Sequence, residues 1–190
     1  CKDGACGSCK AKAREGSWEQ GAHQTSALKS EEQIQGFLLT CCARASSHLR
    51  LECRTVGGLG DIPVRKMPCR IASIDRPAPD VAILRLQLPA SERLKYLAGQ
   101  YLEILLRDGS RRAYSIANAP DSDETLELHI RHMPNGKFTD PLFGVGGHPI
   151  KERDILRFEG PLGTFFLRED SARSMILLAS GTGFAPIKAI

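Results

Sequence analysis

The residues of this chain with the clearest chemical potential are three cysteines within its first nine residues. They are Cys1, Cys6 and Cys9, in the pattern C-x4-C-x2-C, and a fourth thiol follows at Cys41 or Cys42. This is the spacing of a plant-type 2Fe–2S centre, in which four cysteine sulfurs hold two irons. Gly4 and Gly7 can adopt the positive φ angles of a tight loop and let backbone N–H groups approach the cluster. The loop therefore predicts an iron–sulfur site.

Other chemistries of these thiols compete with that interpretation. The two-residue spacing between Cys6 and Cys9 also suits a zinc knuckle, although zinc sites usually present their ligands as two separated pairs. The chain has 7 cysteines, an odd number, and nothing else suggests a small secreted disulfide scaffold. A Rieske centre needs two histidine ligands, and no histidine is suitably spaced. Iron–sulfur is favoured, and structural zinc is the main alternative.

Composition narrows the class of protein further. The chain has 190 residues, 42% of them hydrophobic and 25% charged, with a net charge of +4. Its basic residues are not clustered with aromatic ones, which argues against nucleic-acid binding. Its apolar runs are too short to span a bilayer, and several free thiols favour a reducing compartment. We therefore expect a cytoplasmic protein that binds neither nucleic acid nor membrane.

The elements that position the cysteines are short. Residues 10–16 predict a strand and turn. The S-x-x-Q segment at residues 30–33 has the form of a capping box, which predicts a short helix that starts near Glu31 and ends at Gly36. Residues 49–53 alternate like a closing strand. The cysteine loop is thus predicted to sit on a small α+β unit.

Beyond residue 56 the pattern becomes strongly β. Residues 57–66 are rich in glycine and form the best linker candidate. Apolar residues then alternate at 82–88, 102–106 and 126–130, so that each strand has one apolar face. Turn signals lie at residues 77–79, 108–110 and 120–123. Several short strands of this kind predict a small antiparallel barrel.

The last twenty residues change character again. Residues 175–179 form a continuous apolar run, which predicts a strand buried on both faces. Gly181-Thr182-Gly183 follows, and then a helix with Pro186 in its first turn. A strand, a glycine turn and a helix predict the opening of an α/β nucleotide-binding domain. Because the chain starts at a cysteine and stops inside this helix, we expect a fragment cut at both ends.

One further motif is R-x-Y-S-I at residues 112–116. With G-T-G-x-A-P at 181–186, it resembles the ferredoxin–NADP reductase superfamily. The opening C-K-D-G-x-C-G-S-C-K, the L-T-C-C at 39–42 and the G-P-x-G-T-F-F at 160–166 extend the likeness to the three-part iron–sulfur flavoprotein reductases. Within them, the chain most resembles the reductases that serve CDP-6-deoxyhexulose dehydrases.

This resemblance implies a multidomain fold of mixed α+β and β class. Residues 1–56 would be the C-terminal part of a β-grasp 2Fe–2S ferredoxin domain, and residues 57–66 a linker. Residues 67–170 would form an antiparallel β-barrel that binds FAD, and residues 171–190 the start of an α/β NAD(P)-binding domain. The resemblance assigns Cys41 as the fourth ligand, and strand alternation lets only one of Cys41 and Cys42 reach the iron.

The resemblance also implies which residues contact the flavin and the nicotinamide nucleotide. Tyr114 offers a flat ring to the isoalloxazine, Ser115 a hydroxyl near its N5 edge, and Arg112 a charged fork for pyrophosphate. The complete set of implied cofactor-binding residues is Arg112, Tyr114, Ser115, Ile116, His129, Ile130, Arg131, Gly136, Lys137, Phe138, Thr139, Gly181, Thr182 and Gly183.

Two of these segments have simpler alternatives. Arg112 and Tyr114 could be a surface arginine beside a buried tyrosine, and His129 and Arg131 a solvated strand face. Thr139 suits a helix N-cap, so backbone N–H groups could face a phosphate, and Lys137 would add charge. The resemblance places the FAD diphosphate against this kind of segment, which favours FAD over FMN.

The predicted function is electron transfer from NAD(P)H through FAD to the 2Fe–2S cluster and on to an electron-acceptor protein. No side-chain acid or nucleophile is required, so no catalytic residue is predicted. The acceptor is a dehydrase or, as the alternative, an aromatic-ring or phenol oxygenase component. A ferredoxin-like carrier or binding module without NAD(P)H chemistry is the alternative of another class. We expect the fragment alone to be inactive.

Overall fold

The computed structural model describes residues 4–5, 7, 9–53, 62–120, 125–167 and 172–190. The chain divides into two compact units, Cys1–Val56 and Gly57–Ile190. The first unit contains β1 (Lys10–Glu15), β2 (Trp18–Gln20), α1 (Ser30–Ile34), β3 (Phe37–Leu39), β4 (Ala43–Ala45) and β5 (Arg50–Glu52). The second contains β6 (Arg65–Ala78), β7 (Val81–Gln87), β8 (Tyr101–Leu105), β9 (Arg111–Ser115), β10 (Thr125–Arg131), α2 (Thr139–Leu142), β11 (Ile155–Leu162), a 3₁₀ turn (Gly181–Gly183) and α3 (Phe184–Ala189).

The first unit is built from two small antiparallel sheets. One has the order β3-β1-β5, and the other pairs β2 with β4. The strands predicted at residues 10–16 and 49–53 are confirmed, whereas β2 and β4 were not predicted. The hydrophobic cluster of this unit consists of Ala27, Leu28 and Leu39, against which the partly buried Cys9, Phe37, Cys41 and Cys42 pack. Three thiols therefore belong to the core of this unit.

Helix α1 forms close to its predicted position but with a different cap. Its N-cap is Lys29, and the Lys29 N–H donates to the Glu32 carboxylate at 2.9 Å. Ser30 lies inside the helix, so the predicted capping box between Ser30 and Gln33 is wrong. The same Glu32 carboxylate binds the Lys10 ammonium at 2.7 Å, which ties the helix to β1. Gly36, with φ of 86°, ends the helix as predicted.

The second unit is a six-stranded sheet in the order β10-β7-β6-β11-β8-β9. All five neighbouring pairs are antiparallel, which confirms the predicted strand orientation. The sheet is not closed by a ladder of hydrogen bonds. Its two edge strands, β9 and β10, meet at one isolated bridge between Ile116 and Leu128, beyond the last residue of β9.

Alternating side chains fill the interior of this sheet, as the apolar periodicity predicted. On β10, Leu126, Leu128 and Ile130 are buried, whereas Arg131 is exposed. The other buried residues of the cluster are Met67, Cys69, Ile71, Ala82, Leu84, Leu86, Leu94, Tyr96, Leu102, Ile104, Ile116, Phe138, Leu142 and Phe158. This core gives the predicted flavin segments a rigid support.

The C-terminal segment departs from the prediction. No strand forms at residues 175–179, and Ile176 and Leu178 are 95% and 90% exposed. A strand buried on both faces needs a hydrogen-bonded neighbour, and no described strand pairs with this run. The glycine turn and the helix with Pro186 in its first turn do form. None of the helices in the described ranges has the length and apolarity needed to cross a membrane.

Candidate cofactor sites

Antiparallel pairing of β1 with β3 brings two predicted cluster ligands together. Cys9 lies directly before β1, and Cys41 lies just after β3. The Thr40 N–H and the Thr40 hydroxyl each donate to the Cys9 carbonyl oxygen at 3.2 Å. The Cys9 and Cys41 thiols are hydrogen-bonded to each other. The register of the sheet, rather than proximity in sequence, makes these two thiols neighbours.

Backbone N–H groups point at both of these sulfurs. The Cys41 N–H donates to the Cys9 sulfur, and the Gly4 N–H donates to the Cys41 sulfur. Desolvation opposes ionisation of Cys9, but the hydrogen bonds from Cys41 and Thr40 outweigh it and lower the pKa of Cys9. Desolvation, followed by the hydrogen bond with Cys9, raises the pKa of Cys41 to about 11. Backbone donors of this kind suit the sulfurs of an iron–sulfur centre.

The glycines of the cysteine loop are used as predicted. Gly4 and Gly7 have φ angles of 73° and 71°. A Cβ on Gly4 would lie 2.7 Å from the Cβ of His23, and one on Gly7 would lie 3.2 Å from the Ala27 carbonyl oxygen. The loop is therefore packed too closely against the following segment for side chains at these two positions.

Cys42 is held differently from Cys41. The two residues lie in a turn, so the prediction from strand alternation rested on a wrong local structure. The Gln20 amide donates to the Cys42 sulfur at 3.2 Å and accepts from the Leu39 N–H at 3.0 Å. The Cys41 sulfur is hydrogen-bonded to Cys9 instead. It also lies 3.9 Å from the Cys42 sulfur. This arrangement supports Cys41 as the ligand, which stays a prediction.

The other two predicted ligands, Cys1 and Cys6, lie outside the described residues. Within the described part of the chain, no three His, Cys, Asp or Glu side chains form a metal site. The described residues contribute two thiols, those of Cys9 and Cys41, and two N–H donors directed at sulfur, those of Gly4 and Cys41. Soft thiolate ligands suit iron–sulfur clusters and zinc, so these residues fit the predicted group.

Strand β9 places the R-x-Y-S motif beside the core of the second unit. Tyr114 lies opposite Leu102 in the sheet, and its ring centroid is 5.6 Å from that of Phe138. Desolvation raises the pKa of Tyr114 to about 12, although the Arg112 charge opposes the shift. Strand alternation puts Arg112 and Tyr114 on one face of β9 and Ser115 on the other. The phenol is thus a neutral group on a ring held by packing.

The loop before α2 is closed by a threonine and a glycine. The Thr139 hydroxyl donates to the Met133 carbonyl at 2.8 Å and accepts from the Met133 N–H at 3.2 Å. Phe138, not Thr139, is the N-cap of α2, so that prediction is wrong because the hydroxyl closes the loop instead. A Cβ on Gly136 would collide with the Thr139 hydroxyl and lie 2.7 Å from the Met133 carbonyl. Glycine is therefore required at position 136, because any Cβ there would collide with Thr139 and Met133.

Two cations of the segment predicted to lie against the FAD diphosphate, Arg131 and Lys137, are exposed and paired with aspartates. Arg131 Nε lies 3.1 Å from the Asp80 carboxylate, and Lys137 Nζ lies 2.6 Å from the Asp108 carboxylate. The Lys137 hydrogen bond is the main cause that lowers the pKa of Asp108. Exposed ion pairs contribute little stability, so exchange of an aspartate for a phosphate oxygen costs little.

The other residues predicted to bind the cofactor between His129 and Thr139 are buried or half-buried. Ile130 faces the core, and the His129 side chain is 11% exposed, which excludes a solvated strand face for His129. His129 Nε2 lies 2.8 Å from the Glu127 carboxylate. The Gly181–Gly183 turn, in contrast, has nothing within 4 Å of the position of a Cβ on Gly181 or Gly183. That backbone is open to a close ligand.

Sequence patterns did not reveal an ion cluster around Glu127. Lys188 Nζ, from α3, lies 2.8 Å from Glu127 Oε1, and the Glu127 side chain is 9% exposed. Burial favours the neutral acid, but hydrogen bonds from Lys188 and His129 outweigh it and lower the pKa of Glu127. The available sequence signal was the alternation of Glu127 and His129 with three core residues. It could not indicate a partner far along the chain.

Two protein-family models match the chain. Residues 68–167 match the oxidoreductase FAD-binding domain, which is more than half of the chain, and residues 1–46 match the 2Fe-2S iron-sulfur cluster binding domain. The chain belongs to the FAD-binding oxidoreductase family. The predicted superfamily, the 2Fe–2S cluster and the FAD are confirmed by these matches, and the individual ligands stay predictions.

Named relatives of the chain are reductases or reductase components. The chain is 43% identical over 190 residues to CDP-6-deoxy-L-threo-D-glycero-4-hexulose-3-dehydrase reductase of Yersinia pseudotuberculosis serotype I (strain IP32953), covering 100% of the chain and 55% of the relative. It is 36% identical over 192 residues to terephthalate 1,2-dioxygenase, reductase component 1, of Comamonas sp, covering 100% and 54%. The chain thus spans about half the length of the curated relatives it matches.

A solved structure agrees with this family membership. The cytochrome P450 reductase GcoB from Amycolatopsis superimposes with a TM-score of 0.78 at 34% identity, covering 100% of this chain and 57% of the other. The described residues are therefore similar to this reductase in fold as well as in sequence.

Proposed function

We propose that the whole protein is an NAD(P)H-dependent iron–sulfur flavoprotein reductase that delivers electrons to a partner enzyme. The observation that carries this proposal is the presence of a 2Fe–2S domain and an FAD-binding domain on one chain. Nicotinamide donates two electrons together, whereas a cluster of this type accepts one at a time. When bound, FAD supplies the conversion between the two.

The cluster would be held by Cys1, Cys6, Cys9 and Cys41. The support lies in the hydrogen-bonded Cys9 and Cys41 thiols and in the Gly4 and Cys41 N–H groups directed at them. The work of these residues is to fix sulfur positions and to place N–H dipoles near them, which tunes the potential of such a centre.

The flavin would lie against the second unit. Tyr114 would present its ring to the isoalloxazine, Ser115 its hydroxyl, and Arg112 its charge to the pyrophosphate. The support is the half-buried, core-packed ring of Tyr114 and the closed loop at Gly136, beside the predicted phosphate cations. The open backbone of the Gly181–Gly183 turn would admit the nicotinamide nucleotide.

The finer fold assignment is also part of this proposal. Residues 1–56 would belong to a β-grasp ferredoxin domain, 57–66 to a linker, 67–170 to a barrel and 171–190 to the start of an NAD(P)-binding domain. The approach of β9 to β10 at the Ile116–Leu128 bridge supports closure into a barrel. The turn and helix at Gly181–Ala189 support the last assignment.

The favoured acceptor is a CDP-6-deoxyhexulose dehydrase. The relative named for such a dehydrase is 43% identical, against 36% for the relative named for terephthalate dioxygenase. An oxygenase component is the second candidate acceptor, because the relative at 36% identity is named as a reductase component of a dioxygenase.

Anaerobic titration of the full-length protein with NADH and NADPH tests the electron-transfer proposal. We expect the flavin absorbance to bleach, followed by loss of the cluster absorbance, with iron and acid-labile sulfide present in equal amounts. An unreduced flavin would support the ferredoxin-like carrier instead, and zinc without iron or sulfide would contradict the cluster. Adding each purified acceptor in turn then identifies the partner as the one that speeds NAD(P)H oxidation.

A further inference from the structure

A partly buried ion pair lies where three predicted cofactor segments meet. Lys188 Nζ is 2.8 Å from Glu127 Oε1 and 3.4 Å from the Ala117 carbonyl oxygen. Ala117 follows the R-x-Y-S-I motif, and its N–H donates to the Glu127 carbonyl at 2.8 Å. Glu127 lies two residues before His129, and Lys188 lies on α3, directly after the Gly181–Gly183 turn. This ion pair therefore connects three segments. They are the end of the flavin strand (β9, which carries the R-x-Y-S motif), β10, and the helix that follows the Gly181–Gly183 turn.

Burial fixes the carboxylate half of this pair, whereas the Lys188 side chain is 40% exposed. The Glu127 side chain is 9% exposed, and its oxygens also lie 2.8 Å from His129 Nε2 and 3.4 Å from Arg85 Nη2. A buried carboxylate must keep its charged partners, because an unpaired buried charge is strongly unfavourable. The carboxylate is therefore a fixed anchor for whatever binds it.

Helix α3 depends on such an anchor. Its buried residues are the two alanines Ala185 and Ala189, which bury little apolar area. The 3₁₀ turn at its start packs against β10, the strand that carries Glu127.

We propose that Lys188 is a positioning residue for hydride transfer, because its ion pair with Glu127 fixes the Gly181–Gly183 turn beside the flavin strand. This inference rests on the proposed function, since it assigns the turn to the nicotinamide nucleotide. Lys188 contacts neither reactant; it sets the distance and the angle at which they meet. Small errors in such geometry slow reactions by about tenfold to a hundredfold.

The test uses the full-length protein with its cofactors and the variants Lys188→Met, Lys188→Arg and Glu127→Gln. Lys66→Met is the matched control, since Lys66 lies 3.9 Å from Glu159 at another part of the same sheet. Stopped-flow bleaching of the flavin by NAD(P)H measures hydride transfer, and hydrogen exchange of residues 184–189 measures how firmly α3 is held. Flavin and iron contents are measured for every variant.

We expect K188M to bleach about tenfold to a hundredfold more slowly at saturating NAD(P)H, with faster exchange in α3 and unchanged flavin and iron contents. K188R should recover most of the rate, and K66M should match the wild type. The double variant K188M/E127Q should be no slower than K188M, because two residues acting as one pair are not additive.

Three results would overturn the inference. One is wild-type bleaching and exchange in K188M, and another is loss of flavin from K188M and K188R alike, which would show a merely structural role. The third is a double variant whose losses multiply. A wild-type protein whose flavin is not bleached at all would instead overturn the proposed function, and the inference about hydride transfer with it.

Discussion

The two units of this chain hold their chemistry in opposite ways. In the first, Cys9 and Cys41 pack against a small core that contains Leu28 and Leu39, and backbone N–H groups donate hydrogen bonds to their sulfurs. In the second, three of the predicted cofactor residues, Ile116, Ile130 and Phe138, belong to the large apolar core, whereas the charged ones lie outside it. The ligands of the first unit are thus part of what folds it. The charged flavin residues of the second are attached to a scaffold whose core does not include them.

The largest effect that would sharpen this contrast is expected at Cys41. Replacing Cys41 by Ser should abolish the cluster and open the first unit to limited proteolysis, while the flavin content is unchanged. Replacing the adjacent Cys42 by Ser should leave the cluster, because the Cys42 sulfur binds Gln20 rather than Cys9. Iron and sulfide analysis and visible circular dichroism measure both variants. The reverse pattern would reassign the fourth ligand.

Two matched substitutions that shorten a core side chain, one in each unit, test the same contrast. Leu28→Ala and Leu84→Ala remove fully buried leucines from the two units, and each should cost about 2–5 kcal/mol in free energy of unfolding. Only L28A should also release iron, because the thiols share its core. Denaturant unfolding followed by far-UV circular dichroism and by cluster absorbance separates the two. Equal iron loss in L84A would contradict independent folding of the units.

A smaller effect is expected at the loop before α2. Gly136→Ala should weaken FAD binding about tenfold, or about 1.4 kcal/mol, because its Cβ has no room beside Thr139. Gly147→Ala is the control, because Gly147 likewise has no positive φ but has open space around its Cβ. Fluorescence titration of the apoprotein with FAD measures both affinities. Equal weakening in the two variants would mean that the contact of the Cβ with Thr139 is not the cause.

The smallest expected effect concerns pH. Glu127 faces Lys188 on α3, Arg85 on β7 and His129 on β10, and its pKa is lowered in the folded state. Its contribution to stability is therefore present above the ordinary glutamate pKa of about 4.3 and is lost as the pH falls through its lower folded value. Relative to Glu127→Gln, the wild type should lose more stability below that pH. Urea unfolding of the second unit between pH 3 and 6 measures the difference, and parallel curves would exclude it.

Sequence reasoning succeeded where a signal is local and periodic. The alternating strands β7, β8 and β10 and the helix end at Gly36 follow directly from such patterns. It failed where a side chain has more than one possible hydrogen-bond partner. Thr139 closes a loop instead of capping α2. At α1, the N-cap is Lys29 rather than Ser30.

Long-range pairing was the other source of error. The run at residues 175–179 has the composition of a buried strand, but a strand also requires a neighbour, which composition does not supply. The pair between Glu127 and Lys188 joins residues distant in sequence, and no periodicity marks it. The family resemblance was informative because it carries such long-range information in its motifs.

The Glu32 carboxylate has a consequence for how this family can vary. It accepts the Lys29 N–H at the start of α1 and binds the Lys10 ammonium on the strand after Cys9. One side chain therefore both starts the helix and fixes it to that strand. Substitution of Lys10 removes one of the two groups that the Glu32 carboxylate binds, so substitutions at the two positions should be correlated. An alignment of relatives should show them covarying, with insertions excluded from the helix and tolerated in the exposed turns.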